Sequence, residues 1–294
     1  MTAFSHILFP VDFSSRCEAT IPFVKEMVRR CRAKLTLLHV VEIPVDWYAA
    51  VTPSLHMPWD EFETQYKLGR ECLGGFACRY FGDISHEGPV ETVCERGDPG
   101  YAIIAQAESI GCDLIMLPTH GKGAFRSLFL GSVTARVLHN SECAVWTDAH
   151  METGLSEEFL HIRKILCAVD REEHAADLTR GALALAENFG AAVELVHAVV
   201  AAEPASGDHF DVNPQEFFVN AASEEISAMQ QKAGTHLPVH LGAGSVRDVI
   251  RDAARKFAAD LVVIGRGHIH KPFSRLRSHA YTIIRDSSCP VLSC

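Results

Sequence analysis

The chain has 294 residues, 48% of them hydrophobic and 22% charged, a composition that excludes intrinsic disorder as its main description. Its net charge of −10, which divides as 13 − 18 = −5 up to residue 148 and 14 − 19 = −5 beyond it, excludes a nucleic-acid footprint built on one basic face. No apolar run approaches the roughly 20 residues needed to span a bilayer, and the opening MTAFSHILFPVD lacks the basic-then-apolar layout of a secretion signal. The expectation is a cytoplasmic protein with neither membrane nor nucleic acid as partner. Ten cysteines without a CxxC pair read as small hydrophobes of a reducing compartment rather than as a disulfide framework.

In chain order, residues 6–11 are a short apolar run, as in a parallel strand covered on both faces. Ser15-Arg16-Cys17-Glu18 has capping-box spacing, and Ile21, Val24, Val28 and Cys31 then recur at helical period. Residues 35–41 form the second strand. An aromatic- and proline-rich loop follows over 44–58, read as a packed cover over a sheet edge or pocket, then a helix over 60–81 and a strand over 90–95. Asp98-Pro99 supplies an N-cap and a proline at the first helical position, and the helix it opens stops near Gly111. The pattern closes with a strand at 114–117, a loop to 130, a helix over 131–139 and a strand at 144–147.

The same order then repeats. Residues 6–12 (HILFPVD) match 164–170 (KILCAVD) at an offset of 170 − 12 = 158, and 37–41 (LLHVV) match 195–199 (LVHAV) at the same offset. Residues 113–118 (DLIMLP) match 260–265 (DLVVIG) at 260 − 113 = 147, and Cys143-Ala144-Val145-Trp146 pairs with Cys289-Pro290-Val291-Leu292. The chain therefore reads as a tandem duplication, with a domain over 1–148, a polar linker over 149–161 and a second domain over 162–294. In the second copy Leu178, Ala182, Leu185 and Phe189 make a helical stripe ending at Gly190, and Ser245-Val246-Arg247-Asp248 has capping-box spacing. Alternating strands and helices of these lengths predict an α/β fold: two doubly wound, Rossmann-like parallel sheets with helices on both faces.

In such a sheet a ligand sits beyond the carboxyl ends of the strands, where strand order reverses. Pro10-Val11-Asp12 ends the first strand, and Leu117-Pro118-Thr119-His120-Gly121-Lys122-Gly123 ends the fourth. The glycines, together with Gly131-Ser132 opening a helix, can form a phosphate site from backbone N–H groups. Asp12 is either an acceptor for a base amino group or ribose hydroxyl, or simply a helix cap.

HILFPVD, TLLHVVE, the GDP before a helix, DLIMLPTHGKG, GSV and the closing CAVW together resemble the universal stress protein family across both copies. That resemblance implies five-stranded parallel sheets and, for many members, ATP held by a loop written G-x2-G-x9-G-[ST]. Here the loop reads Pro118-x2-Gly121-x9-Gly131-Ser132. Carried over by position, Pro10, Asp12, Val40 and Leu117 would lie by the base and ribose, and His120, Gly121, Lys122, Gly131, Ser132 and Val133 by the phosphates. The ligand implied is ATP or a related adenine nucleotide, with or without Mg2+. Pro118 is the departure, having no N–H and a fixed φ where the family has glycine. In the second copy Gly265 remains, but His268 and Ser278-His279 replace the later glycine and the Gly-Ser pair, so no normal ATP site is expected there.

No catalytic residue or metal ligand is assigned. His268, His270 and His279 are read as loop histidines rather than zinc ligands, and Gly121-Lys122-Gly123 lacks P-loop spacing. The implied function is a stress-linked sensor or regulator, at most a slow ATPase. The alternative is an interaction protein with degenerate sites. Duplication further implies an internal pseudo-dimer of the two domains, and a homodimer of the chain is compatible with it.

Overall fold

The computed structural model describes residues 4–42, 59–84, 90–119, 130–148, 161–170, 174–199, 214–266 and 275–294. Its contacts separate two compact units, Phe4–Trp146 and a second made of Thr147, Asp148 and His161–Cys294. The aromatic loop at 44–58 lies outside the described residues, as do His268 and His270.

The first repeat runs β1 (His6–Pro10), α1 (Ser15–Cys31), β2 (Lys34–Val41), α2 (Trp59–Phe81), β3 (Val90–Arg96), α3 (Pro99–Ile110), β4 (Leu114–Pro118), α4 (Ser132–Asn140) and β5 (Ala144–Asp148). Its strands lie in the order β3-β2-β1-β4-β5. β1 pairs in parallel with β2 on one side and with β4 on the other, and β2 pairs in parallel with β3. The chain thus winds outward from β1 in one direction, then returns to β1's other edge. The order reverses between β1 and β4, so the carboxyl ends of these two strands form the switch point at which a doubly wound sheet takes its ligand. Consecutive residues Ile7, Leu8 and Phe9, and likewise Leu114, Ile115 and Met116, are fully buried. Strands that bury both odd and even positions are covered on both faces. Edge strand β3 instead exposes Glu91, Glu95 and Arg96, charges that discourage a further strand from pairing there.

The second repeat has β6 (Lys164–Ala168), α5 (Ala175–Phe189), β7 (Ala192–Val199), α6 (Pro214–Ala233), β8 (Val239–Ala243), α7 (Val246–Phe257), β9 (Leu261–Ile264), α8 (Arg275–Asp286) and β10 (Val291–Ser293). Its order is β8-β7-β6-β9-β10, with parallel pairing of β6 to β7 and β9, of β7 to β8, and of β9 to β10. β6 and β9 therefore flank its switch point.

One aspartate per repeat clamps the amino end of the central strand. Asp113 accepts from the Ser5 and His6 N–H groups at 2.8 and 3.0 Å and from the Ser5 hydroxyl at 2.6 Å. Asp260 does the same for the N–H groups of Arg163 and Lys164, at 2.8 and 3.0 Å. This is the physical content of the repeated Asp-Leu pair. It belongs to the fold, since it lies at the strand ends opposite the crevice.

The helix signals read from sequence hold at three places and fail at one. Asp98 caps α3 by accepting from the Tyr101 N–H at 3.1 Å, with Pro99 at the first helical position and Gly111 left-handed at the end (φ 60°). Ser245 caps α7 through the Asp248 N–H at 3.2 Å, and Gly190 ends α5 in the left-handed conformation. At α1, however, the cap is Ser14, which accepts from the Cys17 N–H at 3.1 Å; Ser15 is already helical. The backbone just before it explains the shift.

Candidate functional site

The crevice of the first repeat is built on the turn between β1 and α1. The Val11 N–H donates to the Leu38 carbonyl at 2.7 Å, extending the β1–β2 ladder by one residue. The Val11 carbonyl accepts from His39 Nδ1 at 2.7 Å; since a carbonyl only accepts, Nδ1 carries the proton. Asp12 Oδ1 accepts from the Ser14 N–H at 2.9 Å, closing an Asx turn. Phe13 between them has φ 58°, a conformation that a bulky residue keeps only when its surroundings over-determine it. Its ring lies 4.6 Å from the His39 ring and 5.8 Å from the Phe76 ring. The turn is thus pinned at a carbonyl, a carboxylate and an aromatic ring. Ser14, not Ser15, falls at the helix cap as a result, and the half-exposed Asp12 directs one carboxylate oxygen into the turn. The neighbouring Cys17 thiol is pushed up to about 12 by burial and is no nucleophile.

β2 contributes Val40, half-buried and in register with Glu95 of β3. Helix α2 passes so close behind it that a Cβ at Gly69 would lie 3.1 Å from both His39 Cδ2 and Val41 Cγ2. A side chain here would have to displace its neighbours by a few tenths of an ångström.

On the other side of the switch, Leu117 and Pro118 end β4 and are buried. The Pro118 carbonyl accepts from the Thr134 hydroxyl at 3.0 Å, and the Thr119 carbonyl accepts from the Gly131 N–H at 2.9 Å. These two bonds close the neck of the loop between β4 and α4. His120, Gly121 and Lys122 lie outside the described residues. Gly131 is the N-cap of α4 with φ −59° and ψ 147° and brings no side-chain cap. The first intrahelical bond runs from the Ala135 N–H to the Gly131 carbonyl at 2.8 Å. The N–H groups of Ser132, Val133 and Thr134 therefore have no intrahelical acceptor and point out of the positive end of the helix. The donors of this terminus are those three; the Gly131 N–H is already committed to Thr119.

Helix α4 is braced from behind. Arg136 forms an ion pair with Asp98 and stacks 4.5 Å over the Tyr101 ring, while the hydrogen bond from Arg136 holds the Asp98 carboxyl below the usual carboxylate range. A Cβ on Gly100 would fall 2.7 Å from Arg136 Cδ. The Gly97-Asp98-Pro99 run thus has a reason at each position: Gly97 takes φ 128°, Asp98 caps α3 and holds Arg136, and Pro99 starts the helix.

The second repeat keeps half of this. The Val169 N–H reaches the Val196 carbonyl at 3.0 Å, and His197 Nδ1 donates to the Val169 carbonyl at 2.8 Å, repeating the Val11–His39 pin. Asp170 follows, half-exposed. The helix end differs. The described part of α8 begins at Arg275, so Ser278, which the nine-residue spacing aligns with Gly131, lies inside the helix rather than at its cap. A Cβ at Gly265 would make ordinary 3.5 Å contact with Leu178, so no close packing reserves that position for glycine. Among the described residues of the whole chain, no group of three or more His, Cys, Asp or Glu could hold a metal ion.

Comparison with known proteins places this architecture. The chain matches the universal stress protein family over residues 3–147 and again over 161–294. The chain belongs to that family. This tandem universal stress protein is 29% identical over 148 residues to Universal stress protein MJ0577 of Methanocaldococcus jannaschii, covering 47% of this chain and 90% of that one. A universal stress protein from Archaeoglobus fulgidus shares the fold over 100% of this chain and 96% of its own, with a TM-score of 0.66 at 20% identity. A universal stress protein solved in complex with cAMP aligns with 49% of this chain and 95% of its own, with a TM-score of 0.35 at 16% identity.

Proposed function

We propose that the first repeat binds an adenine nucleotide, ATP or a close relative, across the crevice between β1 and β4, and that the protein works as a stress-linked sensor or regulator. One observation carries this reading: a helix N-terminus with a glycine cap and three N–H groups lacking intrahelical acceptors, on the strand adjacent to the pinned, half-exposed Asp12. Such a terminus favours phosphate, and a carboxylate accepts from a ribose hydroxyl or a base amino group. Pro10, Val40 and Leu117 would line the base and ribose side, and Ser132 and Val133 the phosphate side. His120, Gly121 and Lys122 keep the role that their positions in the family loop imply. The second repeat, whose α8 starts three residues before Ser278, is assigned no nucleotide. No described group is arranged as a nucleophile with its base, so the role proposed is binding with at most slow hydrolysis.

The domains proposed remain 1–148 and 162–294, joined by 149–161, and duplication argues that they pair as an internal pseudo-dimer. The described residues contain no helix long and apolar enough to cross a membrane, and with a charge of −10 a cytoplasmic location is proposed. The second reading, an interaction protein with degenerate sites, draws on Pro118 standing in the first glycine position of the loop.

The deciding experiment is mass spectrometry of nucleotides released from freshly purified full-length protein, followed by calorimetry with ATP, ADP, AMP and cAMP. Binding near one nucleotide per chain is expected. Two equivalent sites, or none with any of the four, would overturn the reading.

A further inference from the structure

We propose that Cys112 and Cys143 are a redox-active pair, oxidised by a hydroperoxide to a disulfide that ties together the two ends of the β4–loop–α4 segment. The proposal is independent of nucleotide binding.

The two sulfurs lie 3.8 Å apart, while none of the ten cysteines is in a disulfide. Cys112 immediately precedes Asp113 and β4, and Cys143 immediately precedes β5. β4 and β5 are neighbours in the sheet, and the Ala144 N–H donates to the Asp113 carbonyl at 3.1 Å. The cysteines therefore flank a hydrogen-bonded pair of adjacent chains. Neighbouring strands run about 4.8 Å apart, within the Cα separation of roughly 4.4–6.8 Å that a disulfide spans. Closing the sulfurs to about 2.0 Å asks for side-chain rotation, not strand movement.

The pair has an internal order. Cys112 is buried and Cys143 half-exposed, so an oxidant reaches Cys143 first. The contact with Cys143, and burial after it, hold the Cys112 thiol protonated far above the ordinary range. Cys143 also has the Ser141 hydroxyl 3.1 Å from its sulfur. The thiolate of Cys143 attacks the peroxide, the O–O bond breaks, and a sulfenic acid and hydroxide form. The sulfur of Cys112 then attacks the sulfenic sulfur; the S–S bond forms, the S–O bond breaks, and the Cys112 proton leaves with the oxygen as water. Two thiols and one hydrogen peroxide give one disulfide and two waters, the two electrons passing from sulfur to peroxide.

The second repeat supplies the contrast. Cys289 occupies the place of Cys143, with the Ser287 hydroxyl 3.7 Å from its sulfur, so the serine–cysteine corner belongs to the shared fold. The residue corresponding to Cys112, at 112 + 147 = 259, is Ala259. The fold does not need a second thiol there; the first repeat has one. The cross-linked segment, whose ends are 31 positions apart, contains Pro118, Gly131 and the α4 terminus, so oxidation would restrain the ends of the element that carries the proposed phosphate donors.

The test uses full-length protein, reduced, freed of reductant and treated with stoichiometric hydrogen peroxide, then alkylated, digested without reductant and mapped by mass spectrometry. A peptide joining Cys112 to Cys143, two hydrogen masses below the sum of its thiol halves and released by dithiothreitol, is expected. Cys112→Ala, the residue the second repeat carries, should leave a sulfenic acid on Cys143 that dimedone traps. The proposal is overturned if both thiols of the wild type remain alkylatable after peroxide and denaturation. It is equally overturned if Cys143 proceeds to sulfinic acid beside an intact Cys112 thiol. Because the wild-type map decides, a variant that folds poorly does not remove the test.

Discussion

Replacing Gly131 with aspartate should separate the folding role of the α4 terminus from its binding role. Gly131 sits at φ −59° and ψ 147°, backbone that any residue adopts, so nothing in its conformation requires glycine. It occupies an N-cap with no side-chain cap, where aspartate would accept from the N–H of Val133 or Thr134. Exchanging a glycine cap for aspartate adds a few tenths of a kcal/mol, and a carboxylate at the positive helix end adds about 0.3–1 kcal/mol. The variant should therefore be as stable as wild type or more stable by up to roughly 1 kcal/mol. Binding should move the other way. The carboxylate takes donors that a phosphate would use and repels the anion. Losing two bonds to a charged acceptor, at about 1.5–3 kcal/mol each, weakens Kd by more than about 100-fold. Urea unfolding reads the first effect and calorimetry with ATP the second. ATP affinity within threefold of wild type would show the phosphate assignment to be wrong. A loss of stability beyond about 1 kcal/mol would show that the position packs too tightly for any side chain.

Pro118→Gly should change ATP affinity by less than tenfold, because the Pro118 carbonyl, its remaining polar group, is already engaged by Thr134 at 3.0 Å; a tenfold or greater gain by calorimetry would favour the interaction-protein reading. Gly69→Ala gains up to about 1 kcal/mol of helix propensity, yet its Cβ would press at 3.1 Å on a His39 ring held by the Val11 carbonyl. Net destabilisation in thermal unfolding is expected, and a stabilised variant would refute the close-approach argument. His6 is buried with Nε2 2.8 Å from the Thr36 hydroxyl, and burial, then Lys34, lowers its pKa below the ordinary 6.5. The unfolded chain therefore takes up this proton first: the stability is present above pH 6.5 and is lost as pH falls from there through the folded pKa. His6→Gln should flatten that part of the stability curve, and an unchanged slope would remove His6 as its source.

The architecture was legible because its signals are local and doubled. Apolar runs of strand length, the Asp98-Pro99 start, the Gly111 and Gly190 stops and the repeated Asp-Leu each act within a few residues, and every strand has a counterpart one repeat away. What sequence missed depends on contacts across the sheet. Ser14 and Ser15 are equally good caps, and the choice falls to Ser14 because Phe13 is left-handed, which its aromatic neighbours from β2 and α2 enforce. Nothing in the composition of Val11-Asp12-Phe13 announces that. The Val11–His39 pin was half visible: a histidine recurs in LLHVV and LVHAV, and the second repeat makes the same bond although its sequence departs from the glycine pattern, which marks a fold role. Arg136 was invisible, since its partners Asp98 and Tyr101 lie in another helix. Sequence placed Gly131 at the start of α4 but not the bond that spends its own N–H on the Thr119 carbonyl, so any donors this terminus offers come from the residues after it.

The two repeats differ where a binding site would and agree where a fold must. Both keep the aspartate clamp at the amino end of the central strand, the histidine pin at its carboxyl end and the serine–cysteine corner before the last strand. None of these requires a ligand. The divergence is at the helix after the fourth strand. A helix that starts at Ser132 behind a glycine without a side-chain cap leaves its first-turn donors with no intrahelical acceptor, groups that water, another part of the chain or a ligand has to satisfy. A helix whose described residues begin at Arg275 places the backbone at Ser278 inside the helix, so the residue aligned with Gly131 is no cap there. The repeats thus part at the segment on which the proposed single nucleotide site rests, which is why a stoichiometry near one per chain, rather than two, is the outcome that this difference predicts.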